Sequence, residues 1–570
     1  MVNWASKRVG DWLLLLNSLV ALVVINQLAS LYFFRLDLTE GKRFSIKPQT
    51  KELLQSIEDE VFIDVLLDGD LNPGFTRVKN YTREMLEEFR VYSHNKVKYS
   101  FTDPEAATSQ NARTEYMNSL AQKGINPVNV VDNRNGQRSQ KLVYPAALVS
   151  YGGMETGVMF LKGSTGRGNP QEMLNQAVED VEFELASAIQ KLTASNQKKI
   201  GWVIGHGELD SLHTASFVNA LLEQYNVFKI NLADKEEVTG YDLLIVAKPV
   251  KQFSQIDLYK LDQFIVNGGR VIFLIDRLDA SMEKATDENY FAFPTGVNLD
   301  DLLFKYGVRV NMDLVQDISS LKYPIVTGVV NNRPQITPLD WPFFPMVNHY
   351  ATHSATRNLD ASIFKFVSSI DTVKSVGIKK TPLIFTSQYS RVLTAPVKVS
   401  AASLKNELKP ENFQDGAKPL AYLLEGSFTS MFKNRFKPEG VDESKFKETG
   451  RATKVVVISD GDFVRNEINS QTGSPRPLGY DPVFNVTFAN QEFMLNLVSY
   501  LTNESGIINV RSKEVKIRPL AKARMVNEKT YWQTINLVLP ILLMIALGIS
   551  LAYWRRRKYS MTVMKRGETL

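Results

Sequence analysis

The sequence predicts an α/β protein that a helix at each end anchors in a membrane. Residues 12–34 and 532–554 form two apolar runs of 23 residues, and neither run contains Lys, Arg, Asp or Glu. About 20 apolar residues are enough for a helix to cross a bilayer. Between the two runs, apolar strands alternate with amphipathic helices, which is the pattern of a parallel sheet covered by helices. We therefore expect two terminal transmembrane helices and an α/β region between them.

Charges beside the apolar runs predict the orientation of this central region. Lys7 and Arg8 precede the first run, and residues 555–558, directly after the second run, are all basic. The cytoplasmic flanks of membrane-spanning helices carry an excess of Lys and Arg. Basic residues also occur on the inner flanks, but long domains cross the membrane largely regardless of their charge. The first run is too long for a removed signal peptide, so we expect two retained spans, both termini in the cytoplasm and the central region outside it.

Composition excludes several classes of function. The chain contains no Cys, so it forms no disulfide, thiolate metal site or Cys nucleophile. The net charge of +6 lies in the tails, because residues 35–554 contain 59 basic and 59 acidic residues. Nucleic-acid binding needs a concentrated basic face, so we expect no nucleic-acid partner. Attraction of the tails to the lipid bilayer accounts for the excess charge.

Residues 36–162 predict a first α/β unit. Its expected helices and strands are a helix at 50–57, a strand at 61–67, a helix at 77–92, and strands at 97–102, 128–131, 142–151 and 156–161. The strand, helix and strand between residues 61 and 102 form a βαβ unit. A thioredoxin-like mixed sheet fits this order, and the absence of Cys-x-x-Cys excludes a redox role. A helix at 171–193 follows, and its narrow apolar seam either packs on its own unit or pairs with a partner or a second copy.

Residues 198–503 predict a doubly wound parallel sheet, flavodoxin- or amidotransferase-like. The expected strands are 199–204, 227–232, 243–247, 270–275 and 454–459, and the expected helices are 214–225, 256–266 and 489–501. Strands that alternate with helices in this way predict parallel pairing. Residues of about 280–450 interrupt the pattern as a strand-rich insertion. Residues 504–531 form a juxtamembrane segment before the second span.

The candidate ligand crevice lies where the parallel strands end. In open α/β sheets, ligands bind beyond the carboxyl ends of the strands. The polar residues that follow the predicted strands are His206, Glu208, Lys248, Asp276, Arg277, Asp460 and Asp462. His206 and Glu208, with the nearby Asp210 and His213, could bind a metal, but their place in a turn favours capping and ion pairing. The Asp460 and Asp462 pair could hold a hard cation or serve only the backbone, and the structural role is favoured.

Motifs for catalysis are absent from the sequence. No Gly-x-Ser-x-Gly turn and no Cys supplies a nucleophile. No Gly-x-x-x-x-Gly-Lys-Ser/Thr loop is present, so the chain does not hydrolyse ATP by that machinery. We expect a protein that is not an enzyme, without a cofactor or a metal. The alternative is a membrane-anchored hydrolase, or a glycan- or peptide-binding protein, that acts at the polar crevice.

Four short motifs carry a resemblance to a known family. They are Leu38-Thr39-Glu40-Gly41-Lys42-Arg43-Phe44-Ser45, Gly205-His206-Gly207-Glu208, Asn267-Gly268-Gly269-Arg270 and Ser459-Asp460-Gly461-Asp462. Their order between the two apolar runs resembles the GldG family of gliding-motility-associated ABC transporter auxiliary (substrate-binding) proteins. The likeness extends over residues 12–557. The family supplies no established catalytic residues that could be assigned to this chain.

The resemblance implies a bacterial inner-membrane protein with a large periplasmic region. Its expected partners are a membrane permease subunit like GldF and a cytoplasmic ATPase like GldA. Two spans are too few to build a translocation path, so an accessory role fits better than a pore. The expected function is a non-catalytic auxiliary subunit that couples the permease and the ATPase to cargo or envelope partners.

Overall fold

The computed structural model describes most of the chain in two compact units, Met1–Lys513 and Glu514–Leu570. The described residues are 7–31, 45–106, 109–134, 137–161, 170–194, 197–286, 289–330, 333–400, 409–502, 506–512 and 529–567. The end of the predicted first span at residues 32–34, nearly all of the motif Leu38–Ser45 and most of the predicted juxtamembrane segment lie outside these ranges.

In the first part of the larger unit, the described residues form five helices and six strands. They are α1 (Lys7–Leu31), α2 (Pro48–Gln55), β1 (Val61–Val65), α3 (Pro73–Tyr92), β2 (Val97–Phe101), α4 (Gln110–Gln122), β3 (Val128–Arg134), β4 (Gln137–Val143), β5 (Ala146–Tyr151), β6 (Met154–Met159) and α5 (Pro170–Thr193). Helix α3 begins where Asn72 accepts a hydrogen bond from the backbone of Phe75 and Pro73 occupies the first helical turn. Both features are favoured at helix starts.

Strands β2, β1, β5 and β6 form a mixed sheet in that order. Strands β1 and β2 are parallel and α3 connects them, so the predicted βαβ unit is present. The predicted single strand at 142–151 is wrong, because β4 ends at Val143 and pairs with β3, whereas β5 begins at Ala146 and pairs with β1. Pro145 lies at the break and has no N–H for a strand ladder. The thioredoxin-like assignment stays a prediction.

Helix α5 is buried in the core of this first sheet. Val181, Leu185 and Ile189 belong to the same apolar cluster as Val61 and Phe89 of the βαβ unit. The seam that the sequence predicts at residues 171–193 therefore packs within its own chain.

The second part of the larger unit contains most of the strands. Its elements are β7 (Lys199–Ile204), α6 (Ala215–Leu222), β8 (Asn226–Asn231), β9 (Leu243–Ala247), α7 (Gln255–Val266), β10 (Arg270–Leu274), β11 (Phe291–Ala292), α8 (Asp300–Tyr306), β12 (Val308–Val310), β13 (Asp313–Asp317), β14 (Ser320–Val330), β15 (Arg333–Val347), β16 (His349–Tyr350), β17 (Ser362–Ile363), β18 (Ile370–Thr372), β19 (Ile378–Phe385), β20 (Ser390–Thr394), β21 (Val397–Lys398), β22 (Pro419–Thr429), β23 (Thr449–Ile458), β24 (Tyr480–Asp481), β25 (Val486–Thr487) and α9 (Asn490–Thr502).

An eight-stranded sheet with the order β16-β19-β22-β23-β10-β9-β7-β8 forms the centre of this part. Strands β8, β7, β9, β10 and β23 are parallel. Counted from β7, their order is 2-1-3-4-5, which is the order of flavodoxin-like doubly wound sheets. Every residue of β9 is buried, and its side chains alternate between two cores. Helices α6 and α9 cover one face of the sheet, and α7 and α8 cover the other.

The insertion expected at about 280–450 is strand-rich, but it is not a separate lobe throughout. Strands β22, β19 and β16 continue the central sheet beyond β23 as antiparallel strands. The sheet is therefore mixed, and β22 covers an edge of β23 that would otherwise be open to other chains. Strands β12 and β18 pack against one face of the central sheet. Most of the remaining strands of the insertion contribute to a smaller core that contains Trp341, Phe343 and Phe344.

The smaller unit contains the helix α10 (Lys529–Gly567), which is 39 residues long. Its segment Thr530–Trp554 is the one helix among the described residues that is long and apolar enough to cross a membrane. The apolar segment Trp12–Gln27 of α1 is shorter than a span. One of the two predicted spans thus has a candidate helix, and the first span, at residues 12–34, is not shown.

Gly450 lies at the start of β23, where this strand packs closely against the end of helix α7. A Cβ atom at Gly450 would lie 1.5 Å from the carbonyl oxygen of Val266, the last residue of α7. We expect Gly450→Ala to lower the free energy of unfolding by about 3 kcal/mol, because the backbones must move apart. Urea unfolding of the full chain in detergent measures this change.

Gly296→Ala is the matched control, because its Cβ would meet only Gln252 Nε2 at 3.5 Å. Equal unfolding free energies for the two variants would contradict the close packing of β23 on α7.

Candidate functional site

The carboxyl edge of the central sheet gathers the residues predicted for the crevice. Strand β7 lies between β8 and β9, so the strand order reverses between β7 and β9. Doubly wound sheets bind ligands at this switch point. His206 and Glu208 follow β7, Lys248 follows β9, and the remaining four candidates follow β10 and β23. Their contacts fall into three groups.

The first group is centred on His206. Its Nδ1 lies 3.2 Å from Glu208 Oε1 and its Nε2 lies 3.3 Å from Asp257 Oδ2. The His206 backbone N–H donates to Glu208 Oε2 at 2.7 Å, and the ring stacks on Phe253 with centroids 3.8 Å apart. The side chains of His206 and Glu208 are 7% and 1% exposed. Gly205 and Gly207 have positive φ angles, which allow this tight turn.

The two carboxylates control the protonation of this histidine. Burial lowers the pKa of His206, but the hydrogen bonds and charges of Glu208 and Asp257 outweigh it and raise the pKa above its ordinary value. Sequence reasoning missed Asp257, which lies in the first turn of α7. The available signal was the capping pattern Ser254-x-x-Asp257. In the structure, the Ser254 hydroxyl donates a hydrogen bond to Asp257 Oδ2, and the backbone N–H of Asp257 donates to Ser254 Oγ.

The second group is centred on Lys248. Its Nζ lies 2.9 Å from Asp276 Oδ2 and also contacts Asp462 Oδ2. Asp276 accepts a hydrogen bond from the backbone N–H of Gly461. The side chains of Lys248, Asp276 and Asp462 are 18%, 11% and 9% exposed. One ammonium group therefore joins the ends of β9, β10 and β23.

Asp460 completes this group through the backbone. Its Oδ2 accepts from the N–H of Lys365 at 2.7 Å, and its Oδ1 accepts from the N–H of Asp462 at 2.8 Å. Asp460 is fully buried. Lys365, which lies in the insertion, was not predicted for the site, and no local sequence signal connects it to Asp460.

Burial raises the pKa values of these carboxyl groups, whereas the positive charge of Lys248 lowers them. Burial raises the pKa of Asp276 to about 6, although Lys248 opposes the shift. Burial, together with the charges of Asp276 and Asp462, raises the pKa of Asp460 well above its usual range. For Asp462, burial would raise the pKa, but Lys248 outweighs it and the pKa is lowered. The pKa of Lys248 itself would fall on burial, but Asp276 and Asp462 raise it, so the lysine stays charged.

Arg277 forms the third group and faces a different space. Its side chain is almost completely buried, and its Nη2 lies 3.1 Å from Asp300 Oδ1. Together with Leu303, Phe304 and Met312 it lines a cavity of about 390 Å³. The sequence placed Arg277 beside Asp276 in one crevice, but its guanidinium pairs with α8 instead.

The groups of acidic and histidine side chains do not form a metal cage in the part of the chain that the structure describes. No cluster of three or more His, Asp or Glu side chains there could hold a metal ion. His213 pairs with Asp210 at 2.9 Å, and Asp210 also accepts the backbone N–H groups of Leu212 and His213. These contacts are those of capping and ion pairing, which the sequence also favoured.

The arrangement holds loops together. Glu208 and Asp460 accept backbone N–H groups, and Lys248 binds two carboxylates. A general acid, base or nucleophile needs access to a substrate, whereas these side chains face one another. The fold and the site therefore define an α/β protein with a candidate membrane helix and an internally paired sheet edge.

Comparison with known proteins gives the family. Residues 197–497 match a family of ABC transporter auxiliary proteins, which is described as an ABC-type uncharacterized transport system. Because this match covers more than half of the chain, the protein belongs to that family. A transport-associated auxiliary role and association with an ABC transporter follow from this membership. Residues 40–150 match a domain of unknown function.

Similar proteins give no further activity. An uncharacterized protein of Borreliella burgdorferi is 22% identical over 554 residues, which cover 93% of this chain and 95% of that protein. Among solved structures, the mmIFT52 N-terminal domain is 14% identical with a TM-score of 0.30, over 54% of this chain and 98% of that one. A β-galactosidase from Bacillus circulans sp. alkalophilus is 10% identical with a TM-score of 0.20, over 69% and 55%.

Lys248 is expected to be essential for stability. Lys248→Met leaves the buried Asp276 without a cation and Asp462 with only the longer ion pair to Arg465 at 3.4 Å. We therefore expect a loss of about 3–5 kcal/mol in the free energy of unfolding. Lys248→Met combined with Asp462→Asn should recover part of this loss. Chemical denaturation of the full chain in detergent measures all three proteins.

Lys445→Met is the control, because Lys445 pairs with Glu237 at the surface, where both side chains are about half exposed. We expect this variant to remain close to the parent. An equally small effect of Lys248→Met would show that the buried group does not depend on its lysine.

The raised pKa of His206 should make the stability of the folded chain depend on pH. Its pKa in the folded chain is raised above the ordinary value of 6.5. The resulting stabilisation is fully present below that value and is lost as the pH rises through the folded pKa. We expect the free energy of unfolding to fall above pH 6.5, and His206→Gln to remove this part of the slope, as measured by urea unfolding at a series of pH values.

The slope should remain in His213→Gln, because His213 pairs with a single exposed carboxylate. If His206→Gln keeps the parent slope, the interaction with Glu208 and Asp257 does not carry the effect.

Proposed function

We propose that the chain is a non-catalytic auxiliary subunit of a gliding-motility-type ABC transporter in the bacterial inner membrane. Its large region lies in the periplasm and couples a GldF-like permease and a GldA-like ATPase to cargo or envelope partners. The observation that carries the proposal is the internal pairing of the charged residues at the carboxyl edge of the central sheet, in a chain of an ABC transport family. A subunit of this kind works through its surfaces.

The membrane topology is part of the proposal. Thr530–Trp554 is long enough to span the bilayer. Helix α1 runs over Lys7–Leu31, and the side chains at residues 12–27 are exposed. We propose that α1 and the residues that follow it form the first span. Basic residues then flank both spans on the cytoplasmic side, in agreement with the positive-inside rule.

The need for partners follows from what the sequence lacks. The sequence contains no Walker A loop for ATP hydrolysis, and two spans do not enclose a translocation path. A separate ATPase and a separate permease would supply these functions. The alternative of an anchored hydrolase requires free carboxyl groups at the crevice. Glu208, Asp276 and Asp462 are instead each bound to a backbone N–H or to Lys248, which favours the auxiliary subunit.

Copurification tests this proposal. The full chain, extracted from its native membranes in a mild detergent, should be recovered with a polytopic permease and an ATPase. Glu208→Gln and Asp460→Asn keep the side-chain shapes at the sheet edge, so the yield of the complex and its ATPase rate should stay within about twofold of the parent. Protease added to spheroplasts should digest the central region.

The outcomes separate the two functions. An intact complex whose transport activity is abolished by Glu208→Gln would support chemistry at the crevice. Recovery of the chain alone after gentle extraction would contradict the auxiliary role. Protection of the central region in spheroplasts, with digestion only after lysis, would contradict the periplasmic orientation and leave the partner assignment untouched.

A further inference from the structure

Helix α10 extends well beyond the apolar segment that it contains. The apolar segment ends at Trp554, but the helix continues without a break to Gly567. At 1.5 Å per residue, the continuation adds about 20 Å to the helix. Residues after Trp554 are therefore held on the same rod as the span.

Aromatic side chains indicate the depth of this helix in a membrane. Tyr531 and Trp532 lie at one end of the apolar segment, and Tyr553 and Trp554 lie at the other, with all four side chains more than half exposed. Tyr and Trp concentrate at the two interfaces of a bilayer. The separation of Trp532 and Trp554 corresponds to about 33 Å of helix, close to the ~30 Å of a bilayer's hydrocarbon core. Trp554 therefore marks the level of the lipid headgroups.

The basic residues of the C-terminal segment fall at two different depths. Residues 555–558 are Arg, Arg, Arg and Lys, and Lys565 and Arg566 follow further along the helix. The first four lie within about 6 Å of Trp554 along the helix axis, and the last two lie about 17 Å beyond it. Because charges are screened over about 8–10 Å in physiological salt, only the first group lies within reach of the headgroup phosphates.

We propose that residues 555–558 form a binding site for the headgroups of anionic phospholipids. The guanidinium groups of three arginines suit the bidentate recognition of phosphate, and clusters of four or more basic residues beside a span attract acidic lipids. The described side chains of this group, Arg556 and Arg557, are exposed. Residues 35–554 contain equal numbers of basic and acidic residues, so the net charge of the chain lies in its two ends. This proposal rests on the proposed crossing of the membrane by α10.

Lipid retention tests the site on the full-length chain. The protein is reconstituted with equal amounts of phosphatidylglycerol and phosphatidylcholine, transferred to a mild detergent, and analysed for bound lipid by native mass spectrometry. We expect the parent to retain phosphatidylglycerol roughly fivefold over phosphatidylcholine. The combined variant R555Q/R556Q/R557Q/K558Q should lose most of this preference, with Lys7 and Arg8 as the remaining basic residues next to a span on the proposed cytoplasmic side. R555K/R556K/R557K should keep a preference for phosphatidylglycerol, because the charge is unchanged.

The second basic group supplies a matched control. K565Q/R566Q should keep the parent's preference, and an equal loss in this variant would contradict a site at residues 555–558. Equal retention of both lipids by the parent would contradict it as well and would mean that the charges only direct membrane insertion. Displacement of the lipid by inorganic phosphate, beyond the effect of sodium chloride at the same ionic strength, would instead indicate a soluble anion site.

A different experiment shows whether the chain crosses the membrane at all. A chain that is released from the vesicles by alkaline carbonate has no span. A chain that resists release but shows no lipid preference has a span without the proposed site.

Discussion

The carboxyl edge of the central sheet depends on the ion pairs that Lys248 forms with two buried aspartates. Lys248 follows β9, and its ammonium group contacts Asp276 after β10 and Asp462 after β23. Asp460, in the same turn, binds the backbone of Lys365 in the insertion. Carboxylates buried near one another repel unless a cation or hydrogen bonds compensate them. One lysine therefore fixes the ends of three parallel strands, and through Asp460 this group holds the insertion against them.

This closure changes what the fold can be used for. A doubly wound sheet normally offers an open crevice at its switch point, but here His206, Glu208 and Asp257 pair with one another at that place. The antiparallel strand β22 also occupies the outer edge of β23. Both the end and one edge of the parallel strands are thus taken up by the chain itself. In this member of an ABC transport family, the place where doubly wound sheets bind ligands is therefore filled by the chain's own side chains.

Sequence periodicity predicted the parallel strands because buried strands such as β9 are continuous apolar runs between turn residues. It did not predict that β22 joins the same sheet, because antiparallel pairing across long sequence separations leaves no local pattern. Strand ends identified which residues lie at the carboxyl edge of the sheet, but not the partners of these residues. Arg277 and Asp276 are adjacent in sequence, yet they bind Asp300 and Lys248 respectively. The direction of each side chain is decided by packing, which the local sequence does not show. The break between β4 and β5 was missed for another reason: Pro145 lacks a backbone N–H and interrupts what the sequence presents as one apolar run.

The smaller unit obeys a different constraint, which is the continuity of one helix. Backbone hydrogen bonds within a helix satisfy its polar groups, so α10 can pass from a lipid interior to water without a change of structure. Pro540 is the one proline inside it, and a proline removes a backbone hydrogen bond and permits a bend. The helix after Pro540 then spans about 40 Å to Gly567. Because residues 555–558 lie on this segment, any tilt at Pro540 changes their depth together with that of Trp554. In the proposed crossing, attraction of the basic residues to headgroups would therefore limit the tilt of α10, which would link the charge of the C-terminal segment to the geometry of the helix.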